Sequence, residues 1–139
     1  MGEFQIRESG GKVVEICRPK YIDTGETPLL RSAGEYLRAF FAGKDAAVEF
    51  DWAAEGTRYE KAVWGFLSSI RRGETVTYAA VAKAAGGSAR SVGNACGKNP
   101  LPFIVPCHRV VAAKDLGGYA LGREMKQKLL DLERGGRLV

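Results

Sequence analysis

The residues best suited to covalent chemistry stand together at Pro106-Cys107-His108-Arg109. The chain has three cysteines, Cys17, Cys96 and Cys107, and its single histidine, His108, directly follows the third. A thiolate is the nucleophilic form of cysteine, and a nearby imidazole and basic side chains lower a thiol's pKa. His108 and Arg109 offer both to Cys107. The preceding Phe103-Ile104-Val105 reads as a buried strand that ends at Pro106, because proline cannot donate to a sheet ladder. Neighbours in an extended chain point in opposite directions, so a direct Cys107–His108 bond does not follow, and a bridging water would serve instead. A buried structural thiol beside a satisfied surface histidine fits the same spacing.

A second pattern lies just upstream. Tyr78 to Ala85 reads as a helix capped by Thr77 and stopped at Gly86-Gly87. Ala89 to about Gly97 reads as another, capped by Ser88, and Pro100 forbids its continuation. Two short helices across a Gly-Gly-Ser turn have the form of a helix-turn-helix. The second helix is built from small residues, among them Ala89, Ser91, Gly93, Ala95 and Gly97. Its two glycines cost about 1 kcal/mol each relative to alanine. Small side chains allow close approach to a narrow groove, but they equally suit tight packing on the core. Arg90 is the one long cation near the helix start.

The remaining elements position these two patterns. Residues 3–8 and 13–18, separated by Ser9-Gly10-Gly11-Lys12, read as a β-hairpin. Pro28 opens a helix whose apolar spacing runs from Leu29 to Phe41, with Gly43 as its stop. Residues 47–50 suggest one more short strand, and Trp52 to Gly56 a connection. Thr57-x-x-Glu60 has capping-box form, followed by an apolar stripe from Tyr59 to Ile70 and a stop at Gly73. A last helix spans about Arg123 to Arg134, buried through Met125, Leu129 and Leu132, with Gly135 behind it. The expected fold is mixed α/β (α+β). A small hairpin-and-helix lobe at 1–56 is joined to a mostly helical, winged-helix-like domain at 57–139.

Charge divides along nearly the same line. Residues 1–57 carry seven Lys/Arg and ten Asp/Glu, a net −3, so residues 58–139 hold +8 of the chain's total of +5. A basic half points to a polyanionic partner, although solubility alone is served by the same charge. Three cysteines without a secretion signal do not suggest a disulfide framework, and one histidine with no Cys-x-x-Cys pair is too little for structural zinc. No apolar run approaches the roughly 20 residues of a membrane span. The polar start, MGEFQIRESGGK, does not read as a signal peptide. A cytoplasmic or nuclear setting is expected.

Taken together, Pro106-Cys107-His108-Arg109-Val110, Asn99-Pro100 and Arg90-Ser91-Val92-Gly93 resemble the O6-alkylguanine-DNA alkyltransferases. The resemblance runs from about Thr57 to Glu133, through Ala62-Val63-Trp64, Gly73 to Tyr78, Gly118-Tyr119 and Leu129 to Glu133. It implies a DNA-repair protein that flips O6-alkylguanine, and also O4-alkylthymine, out of duplex DNA. The alkyl group would move to Cys107 once and irreversibly, without cofactor or metal. Cys107 matches the acceptor. His108 matches the residue that takes the thiol proton through a water, and Glu133 the acid that orients His108. Asn99 matches a brace for the cysteine turn. Tyr78 matches a tyrosine near the flipped base, proposed to help protonate the leaving guanine. Arg90 matches the finger that fills the gap left in the helix. The main chain of Cys107 and Val110, with Tyr119 and Ala120, matches the guanine pocket. Minor-groove contacts fall to Tyr78, Ala79, Ser88, Ala89, Arg90, Gly93 and Ala113. A monomer is expected.

The chain departs from the family pattern in a short N-terminal lobe and in lacking the zinc ligands of some relatives. Ala120 stands where some relatives have serine, and Cys96 is a second thiol on the recognition helix. Three other functions compete. A lesion-recognition protein without transfer would lack the cysteine, and a transcription regulator would carry a dimerisation or effector domain. A cysteine hydrolase would need an oxyanion loop.

Overall fold

Capping and glycine punctuation set most of the helices. The computed structural model describes residues 2–135, so the final four residues of the expected second domain, 136–139, lie outside the described region. β1 (Gln5–Ser9) and β2 (Lys12–Cys17) pair antiparallel around the Gly10-Gly11 turn. Helix α1 (Pro28–Phe41) starts with Pro28 in its first turn and the Thr27 hydroxyl accepting from Leu30 N. Proline's fixed φ and missing N–H cost nothing there. Helix α2 (Arg58–Leu67) begins on the full Thr57/Glu60 capping box and ends three residues before Ile70. Ser69 N and Ile70 N instead close tight turns onto Phe66 O and Leu67 O.

The helix-turn-helix forms as expected, with α3 (Tyr78–Ala85) capped by Thr77 and α4 (Ala89–Gly97) by Ser88. Gly87 between them has φ +80°, and a Cβ there would lie 2.4 Å from Ser91 Oγ and 2.5 Å from the Tyr59 hydroxyl. Glycine is the residue that fits both demands. That tyrosine, from α2, hydrogen-bonds Gly86 O and Ser91 Oγ, and the Trp64 indole donates to Ala95 O in α4. The three helices are thereby held at fixed angles. Helix α5 (Arg123–Glu133) is the last element among the described residues.

Two expectations fail. Residues 47–50 form no strand; the backbone positions beside β2 are taken by 51–53, through Val13 N to Asp51 O and Ala53 N to Val13 O. Val48 and Phe50 instead pack their side chains against the core. The Phe103-Ile104-Val105 strand is also absent. The segment is buried but coiled into tight turns, Ile104 N and Val105 N both donating to Leu101 O, with Phe103 at φ +74°. A left-handed phenylalanine is costly backbone. It is held by the Tyr36 hydroxyl of α1, which donates to Phe103 O at 2.6 Å, and by the rings of Phe4, Phe40 and Phe41 around the Phe103 ring.

A short parallel pair missed in the sequence, β3 (Val76–Thr77) and β4 (Val110–Val111), links the start of the helix-turn-helix to the residues just after the cysteine motif. One hydrophobic core runs from Val13 and Phe40 in the N-terminal part through Val63 and Trp64 to Leu129 in α5.

Candidate active site

The turned segment delivers Cys107 into a one-turn 3-10 helix, Cys107–Arg109, rather than onto a strand end. Its shape is fixed by Asn99. The amide Nδ2 donates to Val105 O at 2.8 Å and to Cys107 Sγ at 3.2 Å, while Oδ1 accepts from Leu101 N at 2.9 Å. A single side chain thus ties the start, the end and the reactive sulfur of the turn. Cys107 is 4% exposed. The neighbouring Cys96 thiol and burial both push the Cys107 thiol well above its ordinary pKa, and the Asn99 bond and the Lys126 charge do not offset them. The resting group is therefore a neutral thiol.

This corrects the expectation that His108 and Arg109 ionise it. Arg109 turns away: Nε and Nη2 donate to the two carboxylate oxygens of Glu133 at 2.9 and 2.5 Å, and Nη1 to Ile70 O at 2.7 Å. His108 is fully buried, with Nε2 2.9 Å from Glu133 Oε1. The ring N–H is not aligned with that oxygen, so the approach falls short of a formed hydrogen bond. Nδ1 meets no hydrogen-bonding atom among the described residues, Cys107 Sγ included. Burial lowers the His108 pKa and outweighs the opposing pull of Glu133, so the ring is neutral. Burial would raise Glu133, but the Arg109 bonds and the His108 contact prevail and hold it at about 2. A neutral imidazole whose Nε2 faces a permanent carboxylate has its other nitrogen free to accept a proton.

Sequence reading overlooked Lys126. It is the largest fully buried side chain, and its ammonium donates to Val110 O at 2.5 Å, Gly118 O at 2.8 Å and the Tyr78 hydroxyl at 3.4 Å. Burial lowers its pKa to about 8. The available signal was a lysine one residue after Met125 on the buried side of α5, and it was too weak to separate from a solvated cation. The Tyr78 hydroxyl itself donates to Gly118 O at 3.2 Å. Gly117, at φ +74°, lets the loop pass so near that a Cβ would sit 2.7 Å from the Tyr78 ring.

Tyr78 and Cys107 border an open cavity of about 460 Å³ between α4 and the 118–120 loop. Tyr78, Ala89, Arg90 and Gly93 line its helix-turn-helix side, and Cys107, Tyr119 and Ala120 its inner side. Arg90 is exposed and makes no hydrogen bond or ion pair with any described residue. Ala79, Ser88 and Ala113 are exposed but outside the cavity lining, and the Ser88 hydroxyl is occupied in capping α4. Val110 is buried and meets the site through its carbonyl. Cys96, noted in the sequence as a second thiol, and Gly97, noted among the small residues of α4, also line the cavity.

The chain has counterparts among known proteins. The family model for the DNA-binding domain of 6-O-methylguanine DNA methyltransferase matches residues 58–135. The chain belongs to this family. It is 45% identical, over 89% of its length and 80% of the relative's, to a methylated-DNA–protein-cysteine methyltransferase of Methanosarcina acetivorans. A Methanocaldococcus vulcanius protein of the same name is 37% identical over 88% of this chain and 78% of its own. The crystal structure of Mycobacterium tuberculosis OGT in complex with DNA superposes with a TM-score of 0.86 at 32% identity, covering 96% of this chain and 88% of that one. As a methyltransferase-family member the chain keeps a mixed α/β fold throughout the described residues.

Glu133 has one consequence for stability. Its folded pKa of about 2 lies below the ordinary 4.5, so the stabilisation is complete above 4.5 and is lost as pH falls toward 2. Glu133→Gln strands a buried guanidinium. It should cost about 3 kcal/mol near neutral pH, the order expected for breaking a buried pair, and should flatten the acid limb of stability against pH. Urea unfolding across that range checks both effects.

Proposed function

We propose that the chain repairs DNA by direct reversal, moving the alkyl group of O6-alkylguanine in duplex DNA onto Cys107. The observation that carries this reading is the juxtaposition of Cys107, in a cavity lined by the helix-turn-helix, with the His108–Glu133 pair. The target atom lies inside the base stack, so the nucleotide must be extruded, at a cost of a few kcal/mol. Arg90, at the start of α4 and without a partner, fills the gap. The small residues of α4 suit approach to the minor groove. Ala79, Ser88, Ala89 and Ala113 provide the flanking surface.

Chemistry then follows from the resting state. The thiol gives its proton, through a water, to Nδ1 of His108, and Glu133 stabilises the imidazolium that forms. The thiolate attacks the alkyl carbon in line with O6. A C–S bond forms, the C–O bond breaks, and the electron pair leaves with guanine. Tyr78, backed by Lys126, supplies a proton to the departing base. The neutral starting thiol is compatible with this scheme, because ionisation is needed only when substrate is bound. A thioether has no ready leaving group, so each molecule acts once. Tyr119, Ala120 and the Val110 main chain hold the base. Residues 1–56 act as a supporting lobe for 57–139, and the protein works as a monomer. No helix among the described residues is long and apolar enough to cross a membrane.

Incubation with O6-benzylguanine, or with duplex DNA containing O6-methylguanine, should add one alkyl group to the Cys107 peptide by mass spectrometry. Cys107→Ala should take up none while still binding DNA; an unchanged mass of the native protein sinks the reading. Arg90→Ala should slow transfer from paired duplex at least tenfold more than labelling by the free base, since only the duplex requires extrusion. Equal losses would remove Arg90 from that role.

A further inference from the structure

The cavity wall carries a second sulfur that the transfer reaction does not use. Cys96, near the end of α4, and Cys107, in the 3-10 turn, both line the cavity of about 460 Å³. They also both line a smaller one of about 180 Å³ between the N-terminal hairpin and the 119–121 loop, which Cys17 borders as well. Cys96 is half-buried, whereas Cys107 is almost sealed, and the two thiols are near enough that each shifts the other's pKa. A Cβ on Gly97, beside Cys96, would meet open space.

We propose that Cys96 and Cys107 form a reversible disulfide when the protein meets a hydroperoxide, with Cys96 as the thiol that protects the acceptor from irreversible oxidation. The Cys96 thiolate attacks the outer peroxide oxygen. The O–O bond breaks, an alcohol or water leaves, and Cys96 becomes a sulfenic acid. The Cys107 sulfur then attacks Cys96, forming the S–S bond and expelling water. Two thiols lose two electrons and two protons in all, and one hydroperoxide is reduced. Two equivalents of a small thiol reverse the reaction by exchange.

The asymmetry of the pair supports this order. The neighbouring Cys107 thiol and the Lys126 charge lower the Cys96 pKa, against the effect of burial, so Cys96 ionises first. It is also the more exposed of the two, and thiolate character and exposure decide which cysteine is oxidised. While the bond exists, Cys107 has no nucleophile to offer, so the acceptor is stored rather than spent.

The test is mass spectrometry of the reduced full-length protein after a few equivalents of hydrogen peroxide, followed by dithiothreitol. The native protein should lose two hydrogens, yield a linked Cys96–Cys107 peptide, and regain its own untreated level of O6-benzylguanine labelling on reduction. Cys96→Ser should gain oxygen atoms on Cys107 and fail to recover. Cys17→Ser should behave as the native protein does. A linked peptide containing Cys17, or oxygen gain on Cys107 in the native protein as fast as in Cys96→Ser, overturns the proposal. The disulfide is read from mass alone, so its absence is distinguishable from a failure of alkyl transfer.

Discussion

A single buried carboxylate organises this site. Glu133 comes from the last turn of α5 and meets two residues of the 3-10 turn, His108 and Arg109. Without it, the Arg109 guanidinium would be left largely buried with no counter-charge, a cost of several kcal/mol. With it, Arg109 is locked in a two-point grip and the imidazole is fixed facing the carboxylate. Everything that makes Cys107 useful follows from that arrangement: a base of known orientation, a sulfur presented by a rigid turn, and a wall of the cavity that does not collapse.

The rest of the fold serves to hold the turn. Asn99 stitches it internally, Tyr36 pins Phe103 from the N-terminal helix, and the β3–β4 pair ties the residues after Arg109 to the entrance of α3. Lys126 adds a buried cation joined to the carbonyls of Val110 and Gly118 and to the Tyr78 hydroxyl. The cysteine turn and the helix-turn-helix are therefore one mechanical unit. A methyltransferase of this family needs that rigidity, because in-line displacement tolerates little misplacement of the sulfur.

Much of the framework was readable from short-range signals. The Thr57-x-x-Glu60 box, Pro28, Ser88 and Gly86-Gly87 act within four residues of themselves, so their meaning does not depend on distant chain. The failures share the opposite property. Phe103 to Val105 has a strand's composition, but its conformation is dictated by Tyr36, 67 residues away. Arg109 stands next to Cys107 in sequence, yet its charge is claimed by Glu133, 24 residues on. Lys126 looks like any helix-surface lysine until Val110 and Gly118 close over it. The ionisation state of Cys107 was misread for the same reason, since burial and a second sulfur from α4 outweigh the adjacent basic residues.

The central claim is that burial keeps His108 neutral despite the pull of Glu133, while the carboxylate orients the ring so that Nε2 carries the proton and Nδ1 is left as the acceptor. The chain contains one histidine, so long-range proton–nitrogen NMR of the 15N-labelled protein reads that ring without ambiguity. At neutral pH the spectrum should show a neutral ring protonated at Nε2, with a titration midpoint below the ordinary histidine value. An imidazolium at pH 7, or a proton resident on Nδ1, would contradict the account.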